Sequence, residues 1–184
     1  PKKPISVAVS LIDKIDMLVG FFGINEKPTS SKDPFALRRT AIGLLRIIIE
    51  NKLVIQLKDL INYSVIVYEE QNTKFTNNSV AKELLFFLQT RFKNILKDKK
   101  IRNDIIEAAY MSHTTNDFLV LYKKCLIINK NISKKICKNI IGTYKRASNI
   151  IEQELKGKKG EVLGQPESFL FKKDEEKHLY NKIN

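Results

Sequence analysis

The chain has 184 residues, of which 43% are apolar, and this is enough to bury the core of one domain or two small ones. Its two cysteines, Cys125 and Cys137, exclude a disulfide framework, and neither an apolar run of membrane-spanning length nor a signal peptide is recognisable. The formal net charge of +13 favours a polyanionic partner such as nucleic acid or an acidic membrane surface.

A first helix is predicted over residues 6–22, because Val7, Leu11 and Ile15 begin an apolar row at helical spacing and Gly23 follows as a stop signal. The loop of residues 23–32 comes next and carries lysine, serine and threonine. A loop of this composition before a helix can bind phosphate, but an ordinary capped connection explains the same residues.

The second predicted helix has the clearest start in the chain. Asp33 can accept hydrogen bonds from the first free backbone N–H groups, and Pro34 fits the first helical position, where no N–H is needed. Apolar residues follow at positions 37, 41, 44, 45 and 48. This spacing predicts one buried face.

The residues around this start resemble a known family. The run Leu11–Ile24, the link Lys27–Lys32 and the run Asp33–Arg39 are together similar to a segment of the β subunit of bacterial heterotetrameric glycine–tRNA ligase. The resemblance implies a helical domain of HD-phosphohydrolase type, in which Asp13 matches one metal ligand. Because the other ligands would precede Pro1, we expect no metal site, and a divergent HD phosphohydrolase is the weaker alternative. The missing initiator Met indicates a piece of a longer protein.

Apolar spacing and candidate caps predict further helices at residues 56–71, 79–97 with Ser79 as cap, 102–111, and 116–129 with Thr115 or Asn116 as cap. A basic helix after Ser133 and a final helix from residue 174 complete an all-α fold of about eight helices. The turn at residues 98–100 divides the prediction into two packed helical subdomains, 1–100 and 101–184.

The helix after Ser133 carries the main functional prediction. At 100° per residue, one polar group falls within an arc of about 120°. This group consists of Lys134, Lys135, Lys138, Lys145, Arg146 and Asn149. Isoleucines and Tyr144 occupy the opposite side, which we expect to be core. A row of cations without interleaved carboxylates favours contact with phosphates.

The distribution of charge supports this interpretation. Residues 118–173 contain 13 basic and 4 acidic residues, which gives +9 of the net +13. A codon bias toward lysine would instead spread the charge evenly along the chain. The alternative is a solvated lysine face with no partner.

Later segments extend the resemblance to the same β subunit. Leu84–Phe92 and Ile101–Ala108 match it, although Asn103 stands where the family usually has His. Thr143–Ile151 is similar to the opening of the family's anticodon-binding region, which is incomplete here. The resemblance implies that this last segment contacts tRNA or orients the contact.

The predicted tRNA-binding set combines the basic helix with the resemblance. Its members are Lys134, Lys135, Lys138, Lys145, Arg146, Asn149, Arg38 and Arg39. By the same resemblance, residues 1–100 are the C-terminal portion of an HD-like domain, and residues 101–184 lead into an anticodon-binding domain.

The resemblance also implies partners and a reaction. The family enzyme joins glycine to tRNA-Gly in the cytoplasm, and ATP and Mg²⁺ are used on a separate α subunit, in a heterotetramer of two α and two β subunits. This chain would bind and position tRNA, with no catalytic residue and no cofactor of its own. A helical scaffold that binds protein through apolar surfaces is the alternative.

Overall fold

The computed structural model describes residues 1–71, 75–112, 117–155 and 170–183. Over these residues the fold is all-α, which confirms the predicted class. The eight helices of the described residues are α1 (Pro4–Gly23), α2 (Leu37–Glu50), α3 (Leu57–Glu70), α4 (Val80–Asp98), α5 (Asn103–Met111), α6 (Phe118–Asn131), α7 (Lys135–Leu155) and α8 (Asp174–Ile183). Within these ranges, no helix combines the length and the hydropathy that a membrane span requires.

The chain forms two compact units, Pro1–Lys134 and Lys135–Asn184, so the division falls later than the predicted boundary near residue 100. Helices α5 and α6 pack on the preceding helices instead of forming a second core. The ring of Phe118 lies edge-on to that of Phe92, with centroids 5.0 Å apart. A turn signal shows where the chain changes direction, but it does not show what packs across the turn.

Helix α2 packs against α1, α4 and α6 of the first unit. Its predicted apolar face is confirmed, since none of five side chains is more than 1% exposed: Leu37, Ala41, Leu44, Leu45 and Ile48. Leu18 of α1 and Leu88 of α4 are also fully buried and belong to the same cluster. Full burial of one such leucine contributes about 1.5–3 kcal/mol, so this three-helix contact is a substantial source of the unit's stability.

The start of α2 differs from the prediction in one respect. Asp33 is the cap, and its two carboxylate oxygens accept hydrogen bonds from the N–H groups of Leu37 (2.8 Å) and Arg38 (3.1 Å). Pro34, however, lies in a turn before the helix, and Ala36 has a left-handed φ of 54°. The N–H of Ala36 donates to the carbonyl of Asp33 at 3.1 Å, so the same residue closes a turn and caps the helix.

Two other predicted caps are corrected. The side chain of Ser79 makes no capping hydrogen bond to α4, and its backbone N–H donates to Asn77 Oδ1 at 2.8 Å. At α6 the cap is Asp117, which accepts hydrogen bonds from first-turn N–H groups at 2.9 and 3.0 Å. Thr115 and Asn116 lie outside the described residues. Neighbouring polar residues can each serve as a cap, so sequence locates the boundary better than the cap.

In the second unit, the apolar side of α7 is exposed. Ile136 is 66% exposed, Tyr144 73% and Ile150 61%. The prediction that this side is core is therefore wrong for the described residues. Helical spacing identifies which side is apolar, but it carries no information on whether another element covers it.

The two cysteines are both free thiols, and their surroundings differ. Cys125 is fully buried in the core of the first unit. Cys137 lies on α7 and is half-buried. Cys125 therefore packs as a small apolar residue of that core.

Candidate nucleic-acid interface

The polar side of α7 forms a basic stripe of Lys135, Lys138, Lys145 and Arg146. These four side chains and Asn149 are exposed, and at 100° per residue they leave the helix within an arc of about 100°. A rise of 1.5 Å per residue spreads the set over about 21 Å of the helix axis. Lys134 directly precedes α7 and is also exposed. Most of the predicted tRNA-binding residues therefore share one side of one helix.

The basic stripe has no internal counter-charge. None of its four cations forms an ion pair with a carboxylate in the described part of the chain, and the first turn of α7 contains no acidic residue. Lys135 and Lys138 lie one turn apart, and like charges at this spacing destabilise a helix by about 0.2–0.5 kcal/mol. An external anion along the stripe would remove this repulsion.

The two predicted arginines of α2 have different surroundings. Arg38 is half-buried, and its Nη2 donates a hydrogen bond to the carbonyl oxygen of Thr29. Its backbone N–H donates a hydrogen bond to the carboxylate of Asp33. Arg38 therefore contacts two points of the link that leads into α2 and stabilises it. Arg39 is exposed beside it. Arg39 is thus the freer of the two for an external phosphate, while part of Arg38 has a structural role.

A cleft of about 880 Å³ lies between the 27–28 link and α4, and sequence reasoning did not select it. Arg91 lines the cleft with its Cζ 4.7 Å from the ring centroid of Phe87. The Nε of Arg91 is buried and has no hydrogen-bond partner among the described residues. Burial lowers the pKa of Arg91, the charge of Arg38 lowers this pKa further, and Asp33 opposes both effects. The guanidinium still remains charged, since its unperturbed pKa lies above 12.

Hydrogen bonds and an ion pair connect α1 with α4 at one edge of the cleft. The Nδ2 of Asn77 donates to the carbonyl of Phe22 at 3.1 Å and to a carboxylate oxygen of Glu83 at 3.0 Å. Lys27 forms an ion pair with the same carboxylate, and this contact is the main reason why the pKa of Glu83 is lowered. The charges of Lys27 and Glu83 therefore compensate each other.

In the sequence, this cleft is indicated by three residues of α4 at helical spacing. Lys82, Phe86 and Thr90 are four residues apart, so they share one side of the helix, and all three line the cleft. An aromatic side chain thus lies between two polar ones on the outer side of the helix. Phe86 is 71% exposed and marks the site.

The surroundings of Asp13 do not fit a metal centre. Its carboxylate is exposed, and Lys14 Nζ lies 3.7 Å away. Across the described ranges, no three His, Cys, Asp or Glu side chains come together in a way that could hold a metal ion. A single exposed carboxylate beside a lysine is too few donors for a hydrolytic metal.

Similarity to known proteins defines the family. A family model described as the glycyl-tRNA synthetase β subunit matches residues 1–111, which include α1 to α5. The match covers more than half of the chain. The chain therefore belongs to the glycyl-tRNA synthetase β-subunit family.

Individual relatives agree with this assignment. The glycine–tRNA ligase β subunit of Rhodospirillum centenum is 38% identical over 156 residues, which are 85% of this chain and 21% of that protein. The one from Ruegeria sp. is 37% identical over 153 residues, 83% of this chain and 21% of that protein. The one from Clostridioides difficile is 33% identical over 183 residues, 100% of this chain and 25% of that protein. The chain thus spans about a fifth to a quarter of their length, and the last alignment includes α7.

Proposed function

We propose that this chain is a tRNA-binding and tRNA-positioning part of a glycine–tRNA ligase β subunit. In the whole enzyme it would support the ATP-dependent attachment of glycine to tRNA-Gly, with ATP and Mg²⁺ used on the α subunit. Its partners would be tRNA-Gly and that α subunit, in a cytoplasmic complex of two α and two β subunits. No residue of this chain is assigned a catalytic role.

The basic stripe on α7 is the observation that carries the proposal. Its cations are exposed, lie on one side of the helix and lack described counter-ions. Each cation that neutralises a phosphate releases condensed counterions, so this arrangement suits a nucleic-acid backbone. Arg146 adds a planar fork that can bind phosphate through two N–H groups, while the lysines act as point charges. Such contacts orient an RNA without reading its sequence.

A second candidate function is a helical scaffold for a protein partner. It is favoured by the exposed apolar side of α7, which includes Ile140 and Tyr144. Apolar surface of this kind is buried in protein interfaces, and its affinity for a partner depends little on salt. The two functions use opposite sides of the same helix, so substitutions can separate them.

The test is a fluorescence-anisotropy titration of the chain with labelled tRNA-Gly and one non-cognate tRNA at two salt concentrations. Lys145→Ala/Arg146→Ala should weaken binding and reduce the slope of log K against log salt by about 0.7–0.9 for each lost phosphate contact. The matched control is Lys58→Ala/Lys97→Ala, which removes the same charge from exposed positions of α3 and α4. Equal affinity of the wild type and of a variant in which Lys135, Lys138, Lys145 and Arg146 are all replaced by Ala would exclude the basic stripe as the interface and leave the scaffold function.

A further inference from the structure

The cleft between the 27–28 link and α4 has a surplus of positive charge. Its charged lining residues are Lys27, Lys82, Glu83 and Arg91. Lys27 and Glu83 pair with each other. Lys82 and Arg91 have no ion-pair partner in the described parts of the chain. Two cations therefore remain available to an anionic occupant.

Arg91 is held in place before any occupant arrives. Phe87 packs against Phe22, with ring centroids 5.2 Å apart. The guanidinium of Arg91 lies over the Phe87 ring, with Cζ 4.7 Å from the ring centroid. A cation over an aromatic face is stabilised by about 0.5–2 kcal/mol, which limits the rotamers of Arg91. A preorganised guanidinium loses less entropy when it binds an anion.

The cleft also offers an aromatic surface. Phe86 is 71% exposed and lies between the two cations along α4. An exposed phenyl ring bordered by cations is the arrangement on which unpaired bases stack while the backbone follows the charge. A free phosphate or a carboxylate would leave this ring unused.

The spacing of the cations selects an extended occupant. Lys82 and Arg91 are nine residues apart on one helix, so their backbone positions are separated by about 13.5 Å along the axis and by about half a turn around it, with Phe86 between them in both respects. One phosphate group is too small to contact both side chains directly. Successive phosphates of a strand can reach both, with a base between them opposite Phe86. A duplex keeps its bases stacked inside and cannot present one to this ring.

We propose that this cleft binds a short single-stranded RNA segment, with its phosphates at Lys82 and Arg91 and one base stacked on Phe86. The proposal rests on the proposed RNA-binding function of the chain, but it uses a surface of the first unit and none of the cations of α7. It assigns an unpaired segment to the cleft, while the basic stripe contacts phosphates elsewhere on the RNA.

The test uses the full chain carrying Lys135→Ala/Lys138→Ala/Lys145→Ala/Arg146→Ala, so that the basic stripe contributes little. The probes are a labelled single-stranded RNA of about six nucleotides, a blunt RNA duplex of the same total charge and an acidic peptide. In this background, Phe86→Ala should weaken binding of the single strand about fivefold or more and leave the duplex unchanged. Tyr63→Ala, at an exposed aromatic residue of α3, is the matched control and should have no effect.

A second set of variants tests the contribution of positive charge. It uses Lys82→Ala, with Lys97→Ala as the control on the same helix. Lys82→Ala should reduce the salt slope for the single strand by about 0.7, and Lys97→Ala should not. Arg91→Gln should also weaken binding of the single strand. Because Arg91 packs on Phe87, thermal unfolding of this variant is recorded as well, to show whether the fold is retained. Lys82 and Phe86 are exposed, so their variants test the cleft without disturbing the fold.

Three results would overturn the proposal: no effect of Phe86→Ala, equal weakening of the duplex, or tighter binding of the acidic peptide than of the RNA. These outcomes are independent of the test of α7. Binding of tRNA that depends on Lys145 and Arg146 would stand even if the cleft variants had no effect. Conversely, single-strand binding that depends on Phe86 would stand if the α7 variant bound tRNA normally.

Discussion

The carboxylate of Asp33 lies 2.8 Å from the backbone nitrogen of Leu37, across a turn in which Pro34 and Ala36 are not helical. Asp33→Ala should destabilise the first unit by about 1 kcal/mol, because the first N–H groups of α2 lose their acceptor. Asp33→Asn should retain most of the stability. Urea unfolding measures both, and Asp13→Ala, at an exposed aspartate of α1, is the control. An unchanged midpoint for Asp33→Ala would show that the cap is unimportant.

Two glycines provide a matched pair of substitutions. A Cβ at Gly23 would lie 2.7 Å from Phe75 Cζ and closer still to Cδ1 and Cε1 of that ring, which is packed against Tyr68. Gly23→Ala should therefore destabilise the protein by about 1–3 kcal/mol, since the ring must move. At Gly142 of α7 a Cβ would meet no atom within 4 Å. Gly142→Ala should raise the helicity of α7, because alanine is favoured over glycine in a helix by up to about 1 kcal/mol.

These opposite signs are measured by thermal unfolding followed by circular dichroism. If both substitutions stabilised the protein, helix propensity alone would govern the two sites. The close approach of Phe75 would then have no energetic consequence.

The half-buried phenol of Tyr110 should make stability depend on alkaline pH. Burial raises the pKa of Tyr110 well above its ordinary value, and the charges of Cys125 and Glu107 raise this pKa further. The folded protein then holds the phenolic proton more tightly than the unfolded chain, whose tyrosines ionise near pH 10. The contribution of this group to the free energy of unfolding is fully present below that pH. It should be lost as the pH rises above about 10.

Tyr110→Phe separates this effect from the titration of the lysines. The variant loses the hydrogen bond from the hydroxyl to the carbonyl of Gln89 (3.3 Å), so it should be less stable by about 1 kcal/mol near pH 8. Its stability should decline less than that of the wild type between about pH 9 and 11. Tyr63→Phe, at an exposed tyrosine, should run parallel to the wild type. Parallel curves for Tyr110→Phe would disprove the assignment.

The basic stripe should behave as a set of independent phosphate contacts. Lys135→Ala/Lys138→Ala should lower the salt slope for tRNA by about the same amount as Lys145→Ala/Arg146→Ala, and the four-residue variant by about twice as much. Asn149→Ala is the control, since it lies on the same side of α7 and carries no charge. It should leave the slope unchanged. A slope that falls for only one pair would restrict the contact to one end of the helix.

Sequence predicts the parts of this fold that depend on local spacing. The buried face of α2 follows from apolar residues such as Leu44 and Ile48, because a helix with that pattern has one side to bury. The start of α2 is predicted less well, because Asp33 can close a turn, cap a helix or do both. The exposed Ile136 shows that an apolar side does not imply a covering element.

The candidate sites divide in the same way. The basic stripe is visible in sequence because its members lie on one helix and share one side. The cleft at Arg91 is not, because it requires Phe22 of α1, the link at Lys27 and α4 to meet. Such a meeting depends on tertiary packing, which spacing along one helix does not encode.

The different surroundings of the two thiols have a practical consequence for labelling. Burial raises the pKa of the Cys125 thiol, which is fully shielded, so its reactive thiolate is scarce and hard to reach. Cys137 is half-buried on α7, the helix that carries the basic stripe. A maleimide dye should therefore attach at Cys137 first in the folded protein. The native chain thus supplies a single-site reporter on the helix whose contact with RNA is in question, without an introduced cysteine.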